Sequence, residues 1–381
     1  MKTTDRLNVM YHGRKVGTMA LYKGHLAAFE YDREWIAEGF SISPFYLPLE
    51  QKVFIPKADP FDGIFGVFAD SLPDGWGRLL VDRLMLKNHM NPYEIGNLER
   101  LAIVGQSGMG ALCYEPEHSF EAEEKPINLD AIAEECRRIL NTESVENLDE
   151  LFRLGGSSGG ARPKILTKID GEERIIKFPS STDKADIGKQ EYEYSLCARE
   201  CGLQMAETRL FPSKNCAGYF GTKRFDRRRK QDGREERVHM LSASAVLETS
   251  HRIPNLDYDI LMKLTLELTK DFSEVEKLYK LMCFNVFAHN RDDHSKNFTY
   301  LYEEKEEKWV LSPAYDLTFS HSIGGEHATT IHGNGKNPDM LDCVAVADAI
   351  GMDSRKAKRI AKEVKECVNS RLRKYINRES R

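Results

Sequence analysis

Residues 290–297 read Asn290-Arg291-Asp292-Asp293-His294-Ser295-Lys296-Asn297, an unbroken polar run. The run before it, residues 281–288, is Leu-Met-Cys-Phe-Asn-Val-Phe-Ala, whose apolar character predicts a buried helix. A polar loop that satisfies its own backbone groups is the plainer interpretation of such a segment. The buried helix argues against it, because a core does not tolerate so many polar groups without a purpose.

The spacing within this polar run indicates a purpose. Arg291-Asp292, four further residues and Asn297 reproduce the Arg-Asp-x-x-x-x-Asn part of the protein-kinase catalytic loop. In that chemistry the aspartate accepts or orients the proton of the attacking hydroxyl, and the asparagine amide oxygen turns back to bind a metal ion. The spacing therefore selects Asp292 rather than Asp293 as the base. His294 and Lys296 lie between and could contact phosphates.

A second candidate carboxylate follows downstream. Residues 309–316, Trp-Val-Leu-Ser-Pro-Ala-Tyr-Asp, predict an apolar strand that ends in Asp316, nineteen residues after Asn297. A kinase places its second metal-binding carboxylate at such a point. Leu317-Thr318 follows instead of Phe-Gly, so the familiar tripeptide is absent, and a helix N-cap is the alternative role for Asp316.

A glycine-rich segment precedes these elements. Residues 155–164 read Gly-Gly-Ser-Ser-Gly-Gly-Ala-Arg-Pro-Lys. Glycines allow successive backbone N–H groups to surround phosphate oxygens, and hydroxyls add donors. The segment lacks the Gly-Lys-Ser/Thr ending of a Walker motif. Taken alone it is more typical of a flexible loop.

A strand lysine follows the glycine-rich segment. In Arg174-Ile175-Ile176-Lys177-Phe178 an apolar β-branched run ends in an ammonium group, and a kinase lysine at such a position contacts nucleotide phosphates. An exposed strand lysine is the plainer interpretation of Lys177 by itself. Glu191, fourteen residues on in a predicted helix, is either its acidic partner or a surface charge.

The four elements occur in one order, which strengthens each of them. Together they supply positioning, charge neutralisation and an oriented nucleophile, which are the parts that phosphoryl transfer needs. The sequence therefore predicts a kinase that uses ATP and Mg²⁺.

Two rival motifs are weaker. Residues 155–159 fit the Gly-x-Ser-x-Gly pattern of a hydrolase elbow, but Arg162-Pro163 disfavours the helix that the elbow needs. His289 and His294 have a spacing found in zinc fingers, but the cysteine pair at finger spacing lies far upstream.

The composition of the 381-residue chain, 41% hydrophobic and 30% charged, is typical of a soluble globular protein. A net charge of −5 gives no bulk signature of nucleic-acid or anionic-membrane binding. The eight cysteines include no Cys-x-x-Cys pair, so we interpret them as small core residues in a reducing compartment. Without an apolar signal segment or a run of about 18 apolar residues, we expect a cytoplasmic protein with no membrane span.

The pattern along the chain predicts an α+β protein. Residues 7–31 alternate as a meander with a turn at His12-Gly13, and residues 129–140 have helical spacing. An acidic stretch at 115–125 predicts a linker, and the chain from about 255 onward is mostly helical. We expect three parts: a β-rich N-terminal subdomain at 1–115, an ATP-binding part at 150–240 and a helical catalytic lobe at 241–381.

These motifs resemble the HipA family of serine/threonine kinase toxins over nearly the whole chain. Residues 292–298 look like the family's catalytic loop, and residues 312–316 look like its metal-binding strand end. Residues 175–179 resemble its lysine strand, and Arg224-Phe225-Asp226-Arg227 resembles its hinge segment. Two stretches look like its N-terminal domain: Phe68-Ala69-Asp70-Ser71-Leu72-Pro73-Asp74 and Val104-Gly105 to Gly110-Ala111-Leu112.

The resemblance implies a two-lobed kinase fold related to lipid kinases, with an added N-terminal β-rich subdomain and a mostly helical C-terminal lobe. It implies that Asp292 is the base, that Asn297 and Asp316 hold Mg²⁺ and that Lys177 binds phosphate. The ATP contacts that it implies come from Ser158, Gly159, Gly160, Ala161, Lys177, Phe225 (beside the adenine), His294, Asn297, Tyr315 and Asp316.

The resemblance also implies autophosphorylation of a serine at the start of the glycine-rich segment. Aligned to the family's motif this serine is Ser157, with Ser158 as the close alternative. A phosphate there would add a charge of about −2 and oppose ATP binding.

The partner that the resemblance implies is HipB, a small helix-turn-helix antitoxin, through which DNA would mainly be contacted; no membrane is involved. It also implies a protein substrate, an aminoacyl-tRNA synthetase or another translation protein, and a role in bacterial persistence. Lys223 departs from the pattern, because some family members carry an acidic hinge residue there.

Three functions stay open from the sequence: the kinase toxin of a type II toxin–antitoxin system, a stand-alone kinase effector, and a non-catalytic component of an antitoxin–DNA complex. The third would use the basic run at 227–237 and the basic C-terminal helix at 354–377 to contact phosphate. Solvated charges balanced by acids elsewhere are the plainer interpretation of both.

Overall fold

The structure is a computed structural model, which describes residues 4–118, 127–230 and 232–377. The chain divides into two compact units. Unit 1 comprises Met1–Gly188, Leu210–Leu241 and Ala245–Thr249, and unit 2 comprises Lys189–Arg209, Ser242–Ser244 and Ser250–Arg381. Residues 119–125 of the predicted linker lie outside the described residues. The predicted parts 1–115, 150–240 and 241–381 stay predictions.

The strands of unit 1 form two sheets and a hairpin. They are β1 (Arg6–Tyr11), β2 (Arg14–Tyr22), β3 (Leu26–Tyr31), β4 (Val53–Phe54), β5 (Leu112–Glu115), β6 (Lys164–Ile169), β7 (Glu172–Lys177), β8 (Thr208–Phe211, which enters the unit at Leu210), β9 (Tyr219–Lys223), β10 (Arg227–Arg229) and β11 (Glu235–Arg237). The first sheet has the order β4-β3-β2-β1-β5, the second has the order β6-β7-β9-β8, and β10 pairs with β11.

The first sheet confirms the predicted meander. Leu7, Val9 and Tyr11 alternate along β1 and are buried, and β2 returns antiparallel beside them. His12 and Gly13 both have positive φ angles, +47° and +78°, which a two-residue hairpin turn requires.

The helices of unit 1 are α1 (Arg33–Glu38), α2 (Gly66–Ala69), α3 (Trp76–Lys87), α4 (Asn97–Val104), α5 (Leu129–Leu140, as predicted) and α6 (Leu148–Gly155). Of these, α3, α5 and α6 pack on the second sheet. Trp76 of α3, Cys136 of α5 and Leu151 of α6 share one buried core with Ile165 and Ile176 of the sheet. This core fixes the end of α6, from which the glycine-rich segment continues.

Besides β8, three elements cross the boundary between the units: α7 (Ile187–Glu200), β12 (Met240–Ser242) and α8 (Ala243–Leu247). The remaining elements belong to unit 2. They are β13 (Leu256–Asp257), α9 (Tyr258–Thr269), α10 (Phe272–Phe287), β14 (Thr299–Glu303), β15 (Lys308–Leu311), β16 (Glu326–Ile331), β17 (Asn334–Lys336), α11 (Met340–Ala349), α12 (Ser354–Arg371) and α13 (Arg373–Ile376).

Unit 2 is mostly helical, as expected, and its helix α10 confirms the predicted buried helix before the polar run. Every residue from Leu281 to Phe287 is buried. One boundary differs from the prediction: β15 ends at Leu311, so Asp316 lies in an irregular segment beyond the strand rather than at its end. Within the described residues, no helix combines the length and the apolar character that crossing a bilayer requires.

Candidate active site

The polar run at 290–297 begins where α10 ends. Tyr194 donates its hydroxyl to the carbonyl of Ala288 at 2.8 Å. Asn290 turns back on the helix, because its backbone N–H and its Nδ2 donate to the backbone and side-chain oxygens of Asn285, both at 2.9 Å. These bonds occupy polar groups that the buried helix end would otherwise leave unpaired.

Asp293 lies at the centre of a buried network. Its side chain is fully buried and accepts hydrogen bonds from the Tyr258 hydroxyl at 3.0 Å and the Thr329 N–H at 3.2 Å. His327 Nδ1 lies 2.8 Å from the same carboxylate. The network ties the polar run to α9 and β16, so Asp293 holds the loop in place and is not open to a substrate.

Asp292, the adjacent residue, has the opposite environment. Its side chain is 64% exposed. Its backbone carbonyl accepts a 2.6 Å hydrogen bond from Nδ2 of Asn297, which closes the loop between the two predicted functional residues. The loop therefore presents the Asp292 carboxylate outward.

His294 brings the charged groups of the loop together. Its Nδ1 accepts the N–H of Lys296 at 3.3 Å, and its Nε2 faces Asp292 Oδ1 at 3.8 Å. Burial lowers the pKa of His294, and His251, whose ring centre is 5.4 Å away, adds to this effect. The carboxylates of Asp292 and Asp316 act on it in the opposite direction. A neutral imidazole with its proton on Nε2 can donate a hydrogen bond to an oxygen in front of the loop.

Asn297 and Asp316 offer ligands for a cation. The Asn297 amide uses its nitrogen to bind the loop, which leaves Oδ1 as its metal-binding atom. Asp316 has a left-handed φ of +56°, a conformation that costs about 1–3 kcal/mol and is enriched at functional sites. An amide oxygen and a carboxylate are hard oxygen donors, and Mg²⁺ takes such ligands together with waters and phosphate oxygens. The donor set therefore fits Mg²⁺.

Tyr315 has a role within the fold of this region. Its hydroxyl donates to the carbonyl of Lys296 at 2.6 Å and lies 2.6 Å from Thr299 Oγ1. These bonds fix the segment that precedes Asp316 against the polar run.

The glycine-rich segment of unit 1 starts inside a helix. Helix α6 ends at Gly155, and an irregular loop follows. Ser157 Oγ donates to the Ser107 carbonyl at 3.0 Å, and Ser158 Oγ donates to the Gly155 carbonyl at 2.6 Å. Both serines are buried, whereas residues 159–161 are exposed. The exposed part is therefore the part available to a ligand.

A turn at residues 74–77, which we call the loop seat, holds this segment. The backbone N–H of Trp76 donates to the Gly160 carbonyl at 2.9 Å, and that of Asp74 lies 3.4 Å from the Ser158 carbonyl. The loop seat belongs to the predicted N-terminal part, so that part positions the candidate phosphate loop.

The loop seat depends on two glycines. A Cβ on Gly75 would lie 2.4 Å from the Gly160 carbonyl oxygen, and one on Gly77 would lie 2.3 Å from that of Ser158. Backbone atoms cannot yield as a flexible side chain does, so both positions require glycine. Sequence reasoning missed this contact. The paired glycines in Asp74-Gly75-Trp76-Gly77 were the available signal.

Lys177 is the last residue of β7, and Lys164 lies opposite it on β6. Directly opposed residues project to the same face of a sheet. Lys164 Nζ donates to the Gly159 carbonyl at 2.6 Å, and Lys177 Nζ lies 5.6 Å from the centre of the Phe220 ring. Two cationic side chains thus share the sheet face beside the glycine loop. Sequence reasoning missed Lys164, although it closes the glycine-rich segment.

Glu191, the predicted partner of Lys177 or a surface charge, is only 3% exposed. The surface interpretation is therefore wrong, and the pairing with Lys177 stays a prediction.

Phe225 lies in the turn between β9 and β10, beside a buried ion network. Asp226 is fully buried, accepts the N–H of Gly110 at 2.8 Å, and pairs with Arg224 at 2.7 Å and Arg227 at 2.8 Å. Although burial acts to raise it, these two guanidinium groups hold the pKa of Asp226 well below its usual range. The predicted hinge is therefore fastened to the loop that contains Gly110.

Acidic side chains neutralise part of the charge of the basic run at 227–237. They also pair with Lys223, the residue that stands where some members of the resembled family carry an acid. Ion pairs join Lys223 to Glu172 at 2.5 Å, Arg227 to Glu235 at 3.7 Å and Lys230 to Glu236 at 2.8 Å. This hairpin is not a uniformly positive surface.

Each unit thus gathers part of the predicted site. Unit 2 brings Asp292, His294, Asn297 and Asp316 together around one loop, with Tyr315 in support. Unit 1 places the exposed residues 159–161 beside Lys164 and Lys177. Phe225 lies elsewhere: it follows the end of β9, where Lys223 pairs with Arg174 of β7, and Lys177 is at the opposite end of β7.

Comparison with known proteins identifies matches over most of the chain. The model of the HipA N-terminal domain matches residues 7–115, and the model of the HipA-like C-terminal domain matches residues 156–372. The protein named Putative kinase Y4mE from Sinorhizobium fredii is 27% identical over 347 residues, which are 83% of this chain and 77% of that protein.

A solved structure shows a related fold over nearly the whole chain. In the complex of the toxin–antitoxin proteins HipA and HipB with operator DNA from Shewanella oneidensis MR-1, one chain matches with a TM-score of 0.72 and 16% identity. The match covers 97% of this chain and 90% of that chain. The proinflammatory kinase CtkA of Helicobacter pylori gives a TM-score of 0.38 at 15% identity, over 58% of this chain and 91% of that chain. The Shewanella match confirms the predicted kinase-like α+β fold.

Proposed function

The chain belongs to the HipA family, and on that premise we propose that it is a serine/threonine kinase that transfers the γ-phosphoryl group of ATP to a protein hydroxyl. One observation carries this proposal: the fold places two adjacent aspartates in opposite environments. Asp293 is buried and fully engaged, whereas Asp292 is exposed beside the Asn297 amide and the His294 imidazole. The buried carboxylate of Asp293 fixes the loop, which holds the exposed carboxylate of Asp292 where a substrate hydroxyl could reach it.

In the proposed reaction the Asp292 carboxylate takes the proton of the attacking serine or threonine hydroxyl. The hydroxyl oxygen bonds to the γ-phosphorus as the bond between that phosphorus and the β–γ bridging oxygen breaks, and ADP leaves. Asn297 Oδ1 and the Asp316 carboxylate would hold Mg²⁺, which supplies charge neutralisation on the phosphates. His294, kept neutral, donates from Nε2 to a phosphate oxygen.

The proposed nucleotide contacts in unit 1 follow from exposure and charge. Gly159, Gly160 and Ala161 would contact phosphate through the exposed loop backbone, and Lys177 would pair with phosphate charge. Ser158 is buried, so it would contact phosphate only if the loop moves. Phe225 would border the adenine. The loop seat supports this role, because it fixes the backbone of Ser158 and Gly160 from behind.

We also propose autophosphorylation at Ser157, with Ser158 as the alternative. Both hydroxyls are buried and donate to backbone carbonyls, so a phosphate could not be accommodated where they lie. Modification would force the segment off its seat and remove the nucleotide contacts.

The proposed partners are a HipB-like antitoxin, through which DNA is reached, and a protein substrate such as an aminoacyl-tRNA synthetase or another translation protein. The Shewanella structure holds HipA with HipB and operator DNA, which supports the antitoxin proposal. The acids that offset the basic hairpin disfavour direct DNA binding as the main function. We propose a cytoplasmic location.

The test is intact-protein and peptide mass spectrometry of the purified chain before and after incubation with ATP and Mg²⁺. We expect one added phosphate, on Ser157 or Ser158, and none in Asp316→Asn. Asp348→Asn, which changes an exposed carboxylate on α11, is the matched control and should gain the phosphate. If the wild-type protein modifies neither itself nor any protein of a bacterial lysate, the proposal fails.

A further inference from the structure

Three cysteine side chains from two helices of unit 2 meet at one point. Cys197 lies in α7, Cys201 is the first residue after it, and Cys367 lies in α12. Their Sγ atoms all lie within 4.8 Å of one another. Within the described ranges, no other group of three His, Cys, Asp or Glu side chains brings its ligand atoms so close.

The local fold explains why these side chains converge. Cys201 continues the helical pattern of α7, because its N–H donates to the Cys197 carbonyl at 2.9 Å, and residues four apart lie on the same helix face. On the facing helix, Cys367 Sγ is 4.0 Å from the same carbonyl. Arg371, one turn further, pairs with Glu200 at 2.5 Å and fixes the register of the two helices.

We propose that Cys197, Cys201 and Cys367 form a binding site for one soft, thiophilic metal ion of the Cu(I) or Zn(II) class. Thiolate sulfur selects such ions over Mg²⁺ and Ca²⁺, which prefer oxygen. The site is distinct from the catalytic loop and does not rest on the proposed kinase activity.

The distances suit one ion. With metal–sulfur bonds of about 2.3 Å, three sulfurs in a plane around an ion lie about 4.0 Å apart. Separations of at most 4.8 Å therefore need adjustments of less than about 1 Å, within the reach of χ1 changes. Cu(I) is satisfied by three sulfurs, whereas Zn(II) would need a fourth ligand such as water, so Cu(I) should bind more tightly.

The partial exposure of the site allows an ion to reach it. Cys197 is buried, whereas Cys201 and Cys367 are partly exposed, which leaves a path for an ion. Each thiol that binds the ion releases its proton to solvent. The Glu200 carboxylate and the Arg371 guanidinium, which pair with each other, act electrostatically on Cys197 in opposite directions.

The ion would join the end of α7 to α12. Helix α7 also carries Tyr194, which binds the carbonyl at the end of α10, directly before the polar run. Occupation of the site would therefore stabilise unit 2 near the residues that hold the catalytic loop.

The experiment is anaerobic titration of the reduced, full-length protein with Cu(I), and separately with Zn(II), against a chromophoric chelator. We expect one Cu(I) per chain, weaker Zn(II) binding and a higher melting temperature with Cu(I). Cys201→Ser and Cys367→Ser should lose at least about 100-fold in affinity, of the order seen when ligand shells are disrupted. Cys216→Ser, a partly buried cysteine of unit 1, is the matched control and should bind as wild type does.

Thiol alkylation of the wild-type protein gives a second readout that needs no variant. Bound metal should protect the partly exposed Cys201 and Cys367 from a thiol reagent while Cys216 still reacts. The proposal is overturned if the wild-type protein takes up neither ion, or if its uptake is unchanged in the Cys201 and Cys367 variants. It is also overturned if mild oxidation converts two of the three thiols to a disulfide and metal affords no protection.

Discussion

The polar run of unit 2 at 290–297 and the glycine loop of unit 1 are held in different ways. The first is anchored by side chains, because Asp293 engages Tyr258, His327 and Thr329. The second is anchored by backbone, because the loop seat approaches it through Trp76 N–H and two glycines that admit no Cβ. A side-chain anchor can be tested by an isosteric substitution that removes its charge, whereas a backbone approach can be tested by adding a single carbon.

The largest effects should come from substituting Asp292 and Asp293 one at a time and comparing the two variants. Asp292→Asn should lower kcat by about 10²–10⁴-fold, the usual contribution of a general base, and leave the melting temperature unchanged. Asp293→Asn should lower the free energy of unfolding by about 3–5 kcal/mol, because it breaks a buried charged network. Phosphate transfer assays and urea unfolding of both variants measure these effects.

The two substitutions are matched controls for each other, since both change a carboxylate to an amide in adjacent residues. If Asp292→Asn unfolds the protein and Asp293→Asn only lowers its activity, the assignment of the two roles is reversed.

Gly77→Ala tests the backbone anchor and should cost about 1–3 kcal/mol, as overpacking does, although alanine is otherwise the better helix former. The added Cβ would displace the Ser158 carbonyl, so ATP affinity should fall as well. Urea unfolding and calorimetric titration with ATP measure the two effects. Gly335→Ala, where a Cβ meets no atom nearer than 3.4 Å, is the control and should change neither. Unchanged ATP affinity in Gly77→Ala would mean that the seat does not position the loop.

A smaller effect, the pH dependence of the free energy of unfolding, should come from a buried histidine of unit 1. In unit 2 His327 Nδ1 lies 2.8 Å from the Asp293 carboxylate, whereas in unit 1 His239 Nε2 lies 2.9 Å from the Ile42 carbonyl. Burial lowers the pKa of His239 from 6.5 to about 4. Between these values the unfolded chain binds the proton that the folded chain refuses, so stability falls as pH decreases.

From pH 7 to pH 5 the His239 effect should remove about 2 kcal/mol from the free energy of unfolding. Urea unfolding at the two pH values measures it. His239→Gln, which keeps a donor for the Ile42 carbonyl, should lose this part of the pH dependence. An equal loss in His239→Gln would assign the effect to other groups.

The polar run at 290–297 was more visible in the sequence than the loop seat. The interval from Asp292 to Asn297 follows from chemistry that needs two groups a fixed distance apart, so the sequence displays it. The same holds for the β1–β2 meander, whose alternation is local, and for α5, whose bounds match the prediction.

What the sequence could not display depends on contacts between distant residues. The partners of Asp293 lie about 35 residues away on either side, and nothing in the local pattern links them to it. The loop seat lies more than 80 residues before the glycine loop. The early end of β15 and the left-handed conformation of Asp316 likewise reflect tertiary packing rather than local propensity.

The loop seat also has a consequence for how long the proposed kinase stays unmodified. Ser157 and Ser158 are buried while the loop is seated, so their hydroxyls become accessible only in the fraction of molecules in which it has undocked. That fraction falls tenfold for every 1.4 kcal/mol by which the seat stabilises the loop. Two glycines at positions 75 and 77 would thereby set the lifetime of the active enzyme, and substitutions there would tune it without touching the chemistry.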